Sequence, residues 1–173
     1  MEAVVRDILN GQRDRFREIV RTYGDELLRI AYHFVRDWDD AKDVTQKTFV
    51  ACYEALRRYD PARPFRPWLL QIHLNQCRSA SRRRQRRLLR FFELTEPPSQ
   101  DAITAGDEDL IWRQIRRLSG RQQAAFVLIE IEQLSTREAA EVLNCAESTL
   151  RVHLARAKEN LRERLKLWGI GND

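Results

Sequence analysis

The sequence has little of the residues that interrupt helices, since only 6 glycines and 5 prolines occur among 173 residues. Its abundant alanine, leucine, arginine, glutamate and glutamine all favour the α-helix. With so few glycines and prolines, the sequence has few of the residues that form turns between helices. We therefore predict an all-α fold.

The chain also lacks the patterns of disulfide frameworks, zinc sites and common enzymes. Cys52, Cys77 and Cys145 are odd in number and form no C-x-x-C pair, which indicates reduced thiols. The three histidines form no Glu-x-x-His pair, and G-x-G-x-x-G, phosphate-loop and nucleophile-elbow motifs are absent from the sequence. We predict no enzymatic activity, no cofactor and no bound metal. An acidic run is interpreted as a protein-binding surface or as helix N-terminal charge rather than as a metal cluster: Asp37, Asp39, Asp40 and Asp43.

Long apolar runs are missing as well. No stretch approaches the ~20 apolar residues that a membrane-spanning helix requires. The N-terminal Met-Glu-Ala-Val-Val-Arg-Asp is too charged for a signal peptide. We expect a cytoplasmic protein without membrane insertion.

Charge is unevenly distributed, although the formal net charge is only +5. One cluster of arginines contains no acid. Such a run suits a polyanion, or else it is the solvated end of a helix. The cluster consists of Arg82, Arg83, Arg84, Arg86, Arg87 and Arg90.

Apolar residues at steps of three and four predict three helices that share one core in a domain over residues 1–90. The first keeps one apolar face from Phe16 to Trp38. The third begins near Pro67, since proline is tolerated in a first helical turn, and runs into the arginine cluster. The second ends at Asp60-Pro61, and its apolar face consists of Ala41, Val44, Thr48, Cys52, Leu56 and Tyr59.

Residues 91–107 interrupt this pattern. They are polar and acidic and contain Pro97-Pro98, which predicts a flexible linker between two small helical domains. In the second domain, residues 108–173, four helical segments are predicted over 109–118, 120 to about 132, 136–143 and 147 to about 167. Two of them begin with a capping box, in which paired side chains satisfy the first backbone N–H groups: Ser119-x-x-Gln122 and Ser135-x-x-Glu138.

The segment from Ser135 onward has the form of a helix-turn-helix. A capped helix with Ala139, Ala140 and Leu143 inward is followed by Asn144, which suits a left-handed helix end. Rotation by 100° per residue separates two sides of the next helix. The inward side carries Leu150, Leu154, Ala157 and Leu161, and the outward side carries Ser148, Arg151, Val152, Ala155, Arg156 and Glu159.

The outward side fits a DNA major groove. Arg151 and Arg156 can reach guanine edges or phosphates, and Val152 suits contact with a thymine methyl group. The alternative is a helical hairpin with a charged exterior. The expected DNA contacts are Ser148, Thr149, Arg151, Val152, His153 and Arg156.

A second polar stripe follows the start of the third helix. Its amides and guanidiniums can bond base edges and phosphates. The preceding loop, with Arg63, Phe65 and Trp68, could hold an unstacked base, although Tyr59, Phe65 and Trp68 are individually better interpreted as core or loop-anchoring residues. His73 is predicted to be a surface or partly packed histidine. The stripe consists of Gln71, Asn75, Arg78 and Arg82.

From nearly the N-terminus to about Arg164, the order of these residues resembles the extracytoplasmic-function class of sigma factors, in the sigma-70 family. Asp40-Ala-Lys-Asp-Val-Thr-Gln-Lys-Thr-Phe49 is similar to the family's polymerase-binding motif. Phe65-x-x-Trp68-Leu-x-x-Ile72-x-x-Asn75 is similar to the helix that reads the minus-ten element. Leu118-Ser-x-Arg121 through Arg156-Ala-x-x-x-Leu161 is similar to the domain that reads the minus-thirty-five element.

The resemblance implies a sigma factor that binds core RNA polymerase, at the largest-subunit coiled coil and the flap, and directs promoter recognition and transcription initiation at a stress- or envelope-type regulon. An anti-sigma factor is an implied partner. Implied core-binding residues are Asp40, Asp43, Gln46, Lys47 and Phe49. Implied minus-ten contacts are Arg63, Phe65, Trp68, Gln71, Asn75, Arg78 and Arg82, and the minus-thirty-five contacts are the six residues of the helix-turn-helix given above.

The sequence departs from the family pattern at two sites. Lys42 and Lys47 stand where the family usually has glutamates, which reverses two charges on the implied polymerase-binding surface. Val152 and His153 occupy positions that are often polar or basic, so a relative's promoter sequence does not carry over.

A helix-turn-helix repressor with an N-terminal ligand or dimerisation domain is the main alternative. It shares the C-terminal features but does not explain the Asp40–Phe49 pattern or the second polar stripe. Pull-down with core polymerase separates the two, because a repressor would form no stable complex.

Overall fold

The computed structural model describes residues 1–94 and 107–166, and within these ranges every regular element is a helix. The prediction of an all-α fold is confirmed. The chain divides into two units, residues 1–84 and 85–173. Because α4, the last helix of the first half, continues to Leu94, the first four residues of the predicted 91–107 linker are helical. Residues 95–106 of that linker lie outside the described residues.

Residues 1–94 form four helices, with one 3-10 turn between the first two and another after the third. The helices are α1 (Glu2–Leu9), α2 (Phe16–Val35), α3 (Trp38–Ala55) and α4 (Phe65–Leu94), and the 3-10 turns are Arg13–Arg15 and Leu56–Arg58.

Helix α1 was not predicted from the sequence. It buries Val4, Val5 and Ile8, which is too short an apolar pattern to identify a helix by period alone. Arg15 links α1 to α2, because its guanidinium pairs with Asp7 of α1 and, at 2.8 Å, with Glu18 of α2.

The predicted first helix, Phe16 to Trp38, is in fact two helices. Helix α2 ends at Val35, because Arg36 adopts a left-handed conformation with φ 52° and ψ 39°. The Asp37 carboxylate then caps α3 by accepting hydrogen bonds from the backbone N–H groups of Asp39 (3.0 Å) and Asp40 (2.9 Å). The apolar period hides this break, since Trp38 stacks back onto Tyr32 with 4.2 Å between ring centroids.

The core of the first unit lies between α2, α3 and α4. All six residues of the apolar face predicted for the second helix are buried, which confirms that face. Helix α4 begins at Phe65, two residues before the predicted start. It contributes a buried side made of Leu69, Leu70, His73, Leu74 and Cys77.

The prediction for His73 was wrong, because its side chain is completely buried. Its Nδ1 lies 2.8 Å from the Thr48 hydroxyl, and its Nε2 lies 3.4 Å from the Cys77 sulfur. These partners offset the loss of hydration of a neutral imidazole. Burial lowers the pKa of His73 to about 4, so the ring is neutral near pH 7.

In the second unit, Asn144 separates the two helices of the predicted helix-turn-helix. The elements are α5 (Asp107–Arg116), α6 (Gly120–Phe126), a π-helical turn (Val127–Ile131), α7 (Thr136–Leu143) and α8 (Glu147–Lys166). Both predicted capping boxes are present, and each includes the reciprocal pair of bonds. Helix α5, the segment just after it and helix α8 share a core of Trp112, Ile115, Leu118, Ala157 and Leu161.

Candidate protein and nucleic-acid interfaces

The helix-turn-helix is built as predicted at its turn. Asn144 ends α7 in the left-handed conformation, with φ 48° and ψ 55°. Ala139 and Ala140 face inward as predicted, but the third inward residue is Val142, and Leu143 is only half-buried. Val142 follows Ala139 by three residues and so lies on the same side of α7.

The outer side of α8 faces solvent. All six residues predicted to point outward are exposed, and so is Thr149. Val152 is 48% exposed although it is apolar. Arg151 pairs with Glu147 at 3.2 Å across one helical turn and keeps 68% of its side chain exposed, so a stronger anionic partner can displace this contact. The arrangement presents apolar and basic groups together on one accessible side of the helix.

His153 lies at the flank of this side and is half-buried. Burial is the main cause that lowers its pKa, and the positive charges of Arg121 in α6 and Arg156 in α8 lower it further. The imidazole therefore lies within the electrostatic field of two cations.

The polar stripe on α4 is continuous. Asn75 and Arg82 are exposed, and Gln71 and Arg78 are half-buried. The Arg82 Nε donates a hydrogen bond to the carbonyl of Arg78 at 3.3 Å. The structure thus brings the four predicted residues together along one side of the helix.

The loop before α4 is held in place by its own residues. The Tyr59 hydroxyl donates to the carbonyl of Arg63 at 2.5 Å, and the Asp60 carboxylate accepts from the N–H of Ala62 at 2.9 Å. The rings of Tyr59, Phe65 and Trp68 also pack against one another, with centroids 4.9 to 5.4 Å apart. This packing gives the loop a defined shape before any ligand binds.

Phe65 requires a correction. It is only 4% exposed and lies in the aromatic cluster, where it also contacts Tyr23. A ring buried in this way cannot stack on a base, so Phe65 anchors the loop rather than contacting DNA. Trp68 is half-buried and Arg63 is exposed, and both remain accessible.

Sequence reasoning missed a second anchor of this loop. The Arg66 guanidinium holds the Glu26 carboxylate of α2, with Nη2–Oε1 at 2.6 Å and Nε–Oε1 at 3.0 Å. Forked pairs of this kind fix geometry as well as charge. Forty residues separate the partners, and no local pattern indicates the pair.

The arginine cluster is only partly available to a ligand. Arg82, Arg83 and Arg86 are exposed. Arg84 instead pairs with Asp40 at 2.9 Å and with Asp37 at 3.6 Å. One of the expected polyanion-binding residues therefore ties α4 to the start of α3.

The first turns of α3 carry the residues implied in polymerase binding. The carboxylate of Asp40 is engaged by Arg84, whereas Asp43, Gln46 and Lys47 are exposed. The two lysines that depart from the family pattern pair within their own helix, Lys47 with Asp43 and Lys42 with Asp39. Each added positive charge is thus partly compensated by a neighbouring acid.

An apolar groove with a volume of about 670 Å³ runs between α2 and α3. The rings of Phe16, Phe49 and Tyr53 line it edge to face, with centroids 5.2 Å (Phe16–Tyr53) and 6.3 Å (Phe16–Phe49) apart. Val20 and Val50 are exposed along it, by 38% and 53%. Clustered exposed apolar side chains of this kind mark protein-interaction sites. Val50 lies off the core-facing stripe of α3, and Val20, which the apolar period assigns to the buried face of the first helix, is exposed instead, so the period did not indicate the groove.

Two further findings concern the described residues, 1–94 and 107–166. No helix within them is long and apolar enough to cross a membrane. No group of three or more histidine, cysteine, aspartate or glutamate side chains in the same ranges could hold a metal ion.

Two family models match the chain. "Sigma-70 region 2" matches residues 19–87, and "Sigma-70, region 4" matches residues 108–161. The first range contains the loop, the α4 stripe and all of the groove except Phe16, and the second contains the helix-turn-helix.

Individual relatives match over most of their length. The chain is 31% identical to the RNA polymerase sigma factor CnrH of Cupriavidus metallidurans over 166 residues, which cover 88% of this chain and 87% of CnrH. It is 31% identical to the RNA polymerase sigma-E factor of Streptomyces coelicolor, covering 90% of this chain and 88% of that factor. It is 23% identical to the ECF RNA polymerase sigma factor SigW of Bacillus subtilis, covering 94% of this chain and 95% of SigW.

A solved structure is similar as well. CnrH in complex with the cytosolic domain of CnrY superposes with a TM-score of 0.71 at 29% identity, covering 96% of this chain and 97% of that one.

Proposed function

The chain belongs to the sigma-70 family, in its extracytoplasmic-function class, and from that premise we propose which of its helices carry each step of transcription initiation. As a member of this family it is a sigma factor, which binds core RNA polymerase and directs it to promoters. We infer that it acts in the cytoplasm and catalyses no reaction itself.

The polymerase-binding surface is formed by the exposed side of α3 and the apolar groove beside it. Gln46 and Phe49 both line that groove, so two of the five residues implied by the family motif belong to it. A partner helix could bury Val50 and Tyr53 there while its polar groups meet Asp43 and Lys47. Buried apolar anchors ringed by polar contacts are typical of stable protein interfaces.

Promoter DNA is contacted by two separate helix sides. Helix α8 contacts the duplex minus-thirty-five element with Ser148, Arg151, Val152 and Arg156. The α4 stripe and the loop before it contact the minus-ten element. The observation that carries this proposal is that the α4 stripe and the outward side of α8 are each a polar helix side open to solvent, within the range that matches its family model.

An anti-sigma factor is the proposed inhibitory partner. The support is the similarity of this chain to CnrH, whose structure contains the cytosolic domain of a second protein, CnrY. Promoters of a stress- or envelope-type regulon are the expected targets.

Run-off transcription tests the proposal directly. Purified chain is combined with core polymerase and a library of genomic fragments, and the RNA start sites are sequenced. We expect starts at a small set of fragments that share two elements. A chain that forms no complex with core polymerase but still binds duplex DNA would support a repressor and contradict the proposal.

Replacing Asn75 with alanine should slow open-complex formation about tenfold and leave core binding unchanged. The Asn75 amide is exposed in the stripe, where we propose that it contacts a base, and losing one such contact costs about 1 to 3 kcal/mol. Permanganate footprinting measures the melted bases, and fluorescence titration measures core binding.

Asn10→Ala is the matched control, because it removes an exposed amide of the same unit outside the stripe. We expect it to melt the promoter at the rate of the unmodified chain. If Asn75→Ala melts the promoter equally fast, the stripe does not contact the minus-ten element.

A further inference from the structure

His153, at the flank of the DNA-facing side of α8, lies within electrostatic range of two arginines, Arg156 of its own helix and Arg121 of α6. His153, Arg156 and Asn160 follow one another at steps of three and four and so form one stripe. The Asn160 side-chain amide donates to the Gln122 Oε1 at 3.4 Å, which holds the start of α6 against this stripe. Arg121, the neighbour of Gln122, acts electrostatically on His153. The geometry therefore adds a residue of α6 to the basic side of α8.

This cluster differs from the other cations around it. Arg151, Lys158 and Arg137 each pair with a glutamate, at 3.2, 2.9 and 3.4 Å. Arg121 and Arg156 are exposed, and no ion pair to either is found among residues 1–94 and 107–166. The charged groups that lower the pKa of His153 are both cations, Arg121 from α6 and Arg156 from its own helix. Converging positive groups without a carboxylate are suited to an external anion.

We propose that Arg121, His153 and Arg156 together bind one backbone phosphate of promoter DNA, so that Arg121 is a DNA contact outside the helix-turn-helix. The location favours a phosphate over a base, because the outward side of α8 enters the groove and its flank meets the sugar–phosphate backbone. A DNA phosphate offers two anionic oxygens, which two guanidiniums and an imidazole can share. The inference rests on the proposed role of α8 in DNA binding.

Phosphate binding at this cluster should draw a proton onto His153. In the free protein burial, and after it the charges of the two arginines, lower the pKa of His153 and so disfavour the imidazolium, whereas a bound phosphate stabilises it. The complex then holds more protons than the free protein near neutral pH. Affinity for DNA should therefore rise as the pH falls from about 7.5 to about 6, by at most about tenfold per pH unit for a single proton.

Binding of the full chain to a labelled mixed-sequence duplex at low salt tests the cluster. Loss of a phosphate contact weakens binding to every sequence and lowers the salt slope by about one. We expect Arg121→Gln to weaken binding about three- to tenfold and to reduce that slope. His153→Gln should remove most of the pH dependence. Arg162→Gln, which removes an exposed arginine further along α8, should change affinity less than twofold.

Equal folding of the variants is checked by circular dichroism and thermal melting, and Arg151→Ala reports on the outward side of α8. If Arg121→Gln and His153→Gln bind as the unmodified chain does while Arg151→Ala loses affinity, the phosphate cluster is wrong and the proposed role of α8 stands. If Arg151→Ala is also without effect, the role of α8 itself is wrong. A pH dependence that persists in His153→Gln would likewise overturn the coupling to this residue.

Discussion

Glutamate in place of Val50 should weaken the complex with core RNA polymerase about a hundredfold. Val50 is 53% exposed on α3 and lines the apolar groove between α2 and α3. In the complex we expect it to be covered by the polymerase, so a carboxylate there would lose its hydration without gaining a partner. The cost of an uncompensated charge in an apolar interface is several kcal/mol, and about 2.7 kcal/mol corresponds to the hundredfold change.

The matched control is Leu9→Glu. Leu9 is also an exposed apolar residue of the first unit, at 47%, but it lies at the end of α1 and does not line the groove. Both variants place a new carboxylate in solvent in the free protein, so both should fold. Affinity is measured by titrating labelled core polymerase, and we expect the Leu9 variant to bind within about twofold of the unmodified chain. Equal losses in the two variants would show that net charge, and not the groove, determines binding.

The lysines of α3 bear on the same surface. Lys42 and Lys47 reverse two charges relative to the family pattern, which alone would weaken attraction to a basic partner. In the structure each is paired with an acid one turn earlier, Asp39 or Asp43, and both pairs are solvent-exposed. Exposed pairs contribute little energy, so a partner can reorganise them at small cost. We therefore expect the apolar groove to carry most of the affinity, which is why the Val50 substitution is the stronger test.

The parts of the fold that could be predicted from the sequence are those with a local signal. The two capping boxes, the left-handed Asn144 and the buried face of α3 each depend on residues within a few positions of one another. Helix period and cap chemistry act over that range. The outward side of α8 follows from the same geometry.

The parts that could not be predicted depend on contacts between distant residues. The apolar pattern of the sequence continues across the break at Arg36, because Trp38 of α3 stacks onto Tyr32 of α2. The pairs Arg66–Glu26 and Arg84–Asp40 join residues 40 and 44 positions apart. Such contacts depend on how the helices cross, which a one-dimensional period does not specify.

His73 illustrates the same point at a polar residue. The sequence places it among apolar neighbours on α4, and a histidine there is ordinarily expected at the surface. Its burial depends on the Thr48 hydroxyl, which arrives from α3 and lies 2.8 Å from Nδ1. Thr48 also donates to the carbonyl of Val44 at 2.8 Å. The hydrogen-bonding capacity of the pair is thus met within the core, and the stability of the first unit is linked to the charge of one imidazole.

That link predicts a loss of stability in mild acid. In the unfolded chain His73 takes up a proton near its ordinary pKa of about 6.5, whereas in the folded unit its pKa is about 4. Between these values the unfolded state binds more protons, so the free energy of unfolding falls as the pH falls. The slope is at most about 1.4 kcal/mol per pH unit, and the total is about 3 kcal/mol between pH 6.5 and pH 4.

Urea unfolding at a series of pH values, compared between the unmodified chain and His73→Gln, measures this effect. Glutamine retains hydrogen-bonding groups but does not titrate, so we expect a lower stability at pH 7 and a flatter pH dependence in the variant. Carboxylates titrate in both chains, and their contribution largely cancels in the difference. Nuclear magnetic resonance of the histidine rings gives an independent measure, with the His73 signal identified by its absence in the variant. A His73 ring that titrates near pH 6.5 in the folded chain, or equal slopes for the two chains, would contradict a buried neutral imidazole.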